Sequence, residues 1–151
     1  MSYQGNSRLK PKWFWGAAVI AGLLSSTLVG QLKGRNAIAA DPPSASEIDA
    51  TLTKVVSQLK PNLPSRLDDA TTLVDVWHAG KQLTYLYEVD ARGRQIPSTF
   101  TTMVRNAVMP KVCGSDMKAG MVRYGITYVY RYNLQNGSRI GEFAIAASDC
   151  T

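Results

Sequence analysis

Cys113 and Cys150 are the only cysteines of this 151-residue chain and His78 is its only histidine, so nucleophilic, acid–base and metal chemistry all draw on a short inventory. A Ser-His-Asp triad has one possible centre, His78, but no Gly-x-Ser-x-Gly elbow accompanies it and no spacing brings a serine to it. One histidine and two cysteines leave no zinc set, and Asp68-Asp69 with Asp75 lacks the spacing of a calcium loop. Gly93 and Gly137 read as turn glycines, not as a loop that cradles phosphate. The sequence therefore predicts no catalytic residue, no metal and no cofactor, and a non-enzyme in preference to an enzyme.

The two cysteines lie too far apart for a Cys-X-X-Cys redox pair, and an even count in an exported domain predicts a structural disulfide between Cys113 and Cys150. Six tyrosines, Tyr85, Tyr87, Tyr124, Tyr128, Tyr130 and Tyr132, fall at positions that strands favour. One reading makes them the buried face of a sheet, with aromatic rings paired across strands. The other makes Tyr128, Tyr130 and Tyr132, together with His78, a candidate binding surface, because phenolic hydroxyls need partners.

Export itself follows from residues 13–32, an uncharged and largely apolar run just long enough for a helix to cross a bilayer. Arg8, Lys10 and Lys12 precede it, and Lys33 and Arg35 follow it, which favours a cytoplasmic N-terminus. Residues 1–12 are then a cytoplasmic basic segment, 13–32 a single-pass signal anchor in the inner membrane, 33–43 a linker and 44–151 an extracytoplasmic, periplasmic domain. The competing reading is a signal peptide cleaved after Ala37-Ile-Ala39, which would release a small ligand-binding or hydrolytic domain. Against it stand the length of the apolar run and the basic residues between that run and the site. Within the run, Ala18, Gly22, Ser26 and Gly30 recur every four residues and present a small-residue face for pairing with a second helix.

Charge sorts by the same division. The chain has 17 basic and 11 acidic residues, but five of the basic and none of the acidic lie in the first 40, which leaves twelve against eleven beyond them. The excess belongs to the membrane flanks, so nucleic acid is not an expected partner. A protein partner or self-association is.

The exported part opens with Ser44 and Glu47 at capping-box spacing, and Ile48, Leu52, Val55, Val56 and Leu59 continue as the stripe of a helix that Pro61 ends. Residues 71–78 and 82–90 read as strands joined by a short turn at Gly80. Ser98 reads as the cap of a second helix with Phe100, Met103, Val104, Ala107 and Val108 inward, broken or kinked at Pro110. Residues 121–133 read as a strand because apolar and aromatic residues hold the even positions from Val122 to Tyr132. Asn136-Gly137 then turns into a last strand, 138–147. The order α-β-β-α-β-β predicts an α+β domain in which two helices pack on one face of a four-stranded, mainly antiparallel sheet. The function expected of it is a non-enzymatic interaction or accessory role in the cell envelope.

Overall fold

Ser44 and Glu47 form the capping box their spacing predicts: the Glu47 backbone N–H donates to the Ser44 hydroxyl and the Ser44 backbone N–H donates to the Glu47 carboxylate. This is the first element of the computed structural model, which describes residues 42–150. The run 13–32, its Ala18, Gly22, Ser26 and Gly30 face, and the Ala37-Ile-Ala39 motif lie outside the described residues. Among the described residues no helix is long and apolar enough to cross a membrane. Helix α1, Ala45–Leu59, buries Ile48, Leu52 and Val55 and tightens into a 3₁₀ turn at Lys60–Asn62, where Pro61 has no N–H to offer.

Strands β2, Thr71–Ala79, and β3, Gln82–Val89, form the first hairpin, and the turn needs the positive φ of 54° that Gly80 supplies. Ahead of them the two-residue β1, Ser65–Arg66, pairs with Leu73 and Thr72 of β2. Helices α2, Phe100–Cys113, and α3, Asp116–Tyr124, lead to the second hairpin, β4, Thr127–Leu134, with β5, Arg139–Ile145. The strands lie in the order β1-β2-β3-β4-β5. Strand β3 pairs with β4 in parallel and the other pairings are antiparallel, so the sheet is mixed.

The architecture corrects the expected one in three places. The sheet has five strands where four are expected, because β1 falls in a stretch the two prolines, Pro61 and Pro64, mark as loop. There are three helices instead of two: residues 121–124 belong to α3, which Ser115 caps at its start and Gly125, at φ 68°, ends. Helix α2 continues through Pro110 to Cys113, with Val108 and Val112 buried on either side of the proline. Their burial and the bond at Cys113 outweigh the one helical hydrogen bond that a proline forfeits.

Leu83, Tyr85, Tyr87 and Val89 of β3 align with Tyr128, Tyr130, Tyr132 and Leu134 of β4 across the parallel seam. All of these but Leu134 join Leu73 and Val76 of β2 and Phe143 and Ile145 of β5 in the face on which the helices close a single core. Helix α1 lies on β2 and α2 on β5, at opposite margins of the sheet, and the aromatic rows on β3 and β4 lie between them. Trp77, Thr84, Val129 and Ala144, in register with one another, share the opposite face. There the Arg131 guanidinium stacks over Trp77 at 5.4 Å and pairs with Glu142.

Candidate functional site

Tyr128, Tyr130 and Tyr132 occupy alternate positions of β4 and therefore point the same way, and that way is inward: they are 2, 4 and 2 % exposed. The structure places them in the core instead of on a binding surface. Tyr85 stacks on Tyr130 at 5.5 Å between ring centroids, Tyr87 on Tyr132 at 4.8 Å, and Tyr130 on Phe143 at 5.2 Å, so the rings form continuous rows across three strands. Phe100, from the first turn of α2, meets Tyr132 edge-on at 5.6 Å. Such pairs add to the area the rings bury, because each ring's electropositive edge meets a neighbour's π density.

Burial raises the phenols. It is the first cause for each of Tyr85, Tyr87 and Tyr130, which all lie well above the ordinary tyrosine range, with neighbouring tyrosines adding to it. Tyr128 is pushed up to about 12 by burial alone. Tyr132 is raised by burial and then by the Asp68 carboxylate. Asp68 itself caps the turn into β2, its Oδ1 accepting from the Ala70 and Thr71 backbone N–H groups at 2.8 and 2.7 Å. None of these groups is poised to exchange a proton near neutral pH.

His78, near the end of β2, faces α1. Its Nε2 shares a hydrogen bond of 2.9 Å with the Thr53 hydroxyl, and Asp49 Oδ1 lies 3.7 Å from Nδ1. Asp49 and Thr53 are one helical turn apart, which is why one imidazole can meet both. Hydroxyl, imidazole and carboxylate stand in the order of a hydrolytic triad. The likeness stops there: Thr53 is exposed in mid-helix, where the backbone N–H groups are used within α1 and cannot stabilise an oxyanion. The three residues are a clamp between α1 and the sheet. Sequence reasoning finds His78 by its singularity and misses Asp49 and Thr53, because only the packing of α1 on β2 brings them to it.

Cys113 and Cys150 are bonded, with Cα atoms 5.2 Å apart. The bond ties the end of α2 to a 3₁₀ turn at Ala147–Cys150 that Arg105 also holds, through Asp149 at 2.6 Å. Lys118 of α3 donates to the Cys150 carbonyl at 3.1 Å. Among the described residues no group of His, Cys, Asp and Glu side chains is placed to hold a metal ion.

No protein-family model matches the chain, and neither does any curated protein sequence. Solved structures do. The fold is similar to that of EpsS, a pilotin of the type 2 secretion system from Vibrio vulnificus, with a TM-score of 0.59 over 71 % of this chain and 94 % of that one, at 11 % identity. It is similar to a candidate secreted protein from Pseudomonas aeruginosa, with a TM-score of 0.62 over 71 % of this chain and 96 % of the other, at 17 % identity. AspS, a type II secretion system pilotin from Vibrio cholerae, matches with a TM-score of 0.57 over 70 and 94 % of the two chains, at 14 % identity. At these identities the likeness is one of fold.

Proposed function

We propose that this chain is a membrane-anchored extracytoplasmic domain that serves a cell-envelope assembly as a non-enzymatic accessory part and works by holding a protein partner. The observation that carries the reading is the fold shared with two type II secretion pilotins over about 70 % of the chain. The absence of an acid–base or metal constellation in the sequence accords with it, as does the engagement of the sole histidine in a structural clamp. The apolar run 13–32 with its basic flanks supports a single span of the inner membrane with the N-terminus in the cytoplasm. Its Ala18, Gly22, Ser26 and Gly30 face would pair that span with a second helix. Crosslinking in intact membranes of the native host, followed by mass spectrometry, tests the reading. One envelope component recovered reproducibly is the expected result, and repeated recovery of this chain alone would overturn it.

A further inference from the structure

The linker arrives at Ser44, and α1 runs along β2 so that Asp49 and Thr53 meet His78, beside the turn Ala79-Gly80-Lys81. The first residue of β4 is at the same end of the sheet, its Thr127 backbone N–H donating to the Lys81 carbonyl at 3.0 Å. So is the close of α3, since Lys81 Nζ lies 3.5 Å from the position a Cβ on Gly125 would take. Linker, Lys81 and the last turn of α3 thus share one end of the domain.

That end carries exposed cations and an apolar tip. Helix α3 exposes Lys118, Val122 and Arg123, and Val122 is 66 % exposed, against 36 % for Met103, the other exposed large hydrophobic residue among those described. Lys118 and Val122 are four residues apart and lie on one helix face. Exposed Lys111, in the last turn of α2, adds a further cation. The acids nearby are Asp116, which opens α3, Asp149, engaged by Arg105, and on α1 Glu47 of the cap and Asp49 beside His78. Cations around an exposed apolar side chain suit a lipid headgroup layer: the charges meet phosphates and the side chain reaches the acyl boundary. The linker 33–43 spans at most roughly 40 Å when fully extended, which lets this end of the domain reach the bilayer and keeps it within that distance.

We propose that Lys81, Lys118, Val122 and Arg123 form a docking face for the anionic headgroups of the membrane in which residues 13–32 are anchored. The inference rests on the anchor reading given under the proposed function. The test reconstitutes the full chain into phosphatidylcholine vesicles and into vesicles with about one-third phosphatidylglycerol. Lysines are then acylated with a membrane-impermeant reagent and read by mass spectrometry. The chain is expected to float with both vesicles. Lys81 and Lys118 are expected to react about fivefold more slowly on the anionic ones. Lys60, paired with Asp75 at 3.4 Å beyond the end of α1, should react equally on both. High salt should abolish the difference, and so should the double variant Lys81→Glu, Arg123→Glu, read at Lys118. Flotation with equal acylation on the two vesicles overturns the docking face and leaves the anchor standing. Failure to float with either overturns the anchor and the docking face with it. Slower acylation on the anionic vesicles that survives high salt assigns the face to a contact between copies of this chain and overturns the lipid assignment.

Discussion

His78 earns its place by packing and hydrogen bonding, and its replacement separates the two functional readings. His78→Ala removes the bond to Thr53 and should lower the unfolding free energy by about 1 kcal/mol in a denaturant titration, while crosslinking to a partner stays as in the wild type. A variant that folds and yet abolishes the host phenotype would favour a hydrolytic or ligand-binding domain. The tyrosines make a second prediction at this scale. Burial keeps their phenols protonated in the folded chain, Tyr128 up to about 12, whereas an unfolded chain releases those protons near pH 10. The unfolded state therefore binds fewer protons above that pH. Stability should be at its full value below about pH 10 and fall as pH climbs toward 12, with the tyrosinate absorbance of these five buried residues rising only as the chain unfolds.

At the scale of elements, the disulfide closes a loop over a sequence separation of 37, and the loop-entropy relation gives it about 4 kcal/mol. Reducing it, or replacing both cysteines with serine, should lower the Tm by about 15 °C in a thermal melt. Helix α3 contains a glycine for a steric reason. A Cβ on Gly120 would come within 2.9 Å of the Tyr128 hydroxyl, the end of a rigid, buried ring. Gly120→Ala should therefore destabilise the fold by about 1–2 kcal/mol in spite of alanine's better helix propensity, and adding Tyr128→Phe should restore most of the loss. Helix α1 and both hairpins are legible in the sequence because a capping box, a helical stripe and two glycine turns all point the same way. Helix α3 is hidden because Val122 and Tyr124 continue into the helix the even alternation of Ile126 to Tyr132, so that a strand pattern runs unbroken across Gly125. Strand β1 is hidden for another reason: two residues carry no periodicity, and only their pairing with β2 defines them.

Over the whole molecule, composition and topology argue at different ranges. The division of charge around residues 13–32 is readable from the sequence alone, whereas the fold's likeness to the pilotins is not, at identities of 11 to 17 %. The two cysteines are legible as a pair because no others compete with them, and the burial of Tyr128, Tyr130 and Tyr132 is legible as the alternative that strands prefer. The parallel seam is compatible with the sequence without being specified by it: the stretch between β3 and β4 is long enough for a crossover, and nothing in it names the partner strand. That seam has a consequence for how the chain could be divided. Among the described residues, α1, β1 and the first hairpin precede the exposed loop at residues 92–95, α2, α3 and the second hairpin follow it, and the disulfide lies wholly in the latter part. Two polypeptides cut in that loop would each carry half of the aromatic rows, and they are expected to find one another and rebuild the sheet by complementation. Mixing them should restore the circular dichroism of the intact domain, and Tyr132→Ala, which removes the stack on Tyr87, should abolish the reassembly at micromolar concentrations.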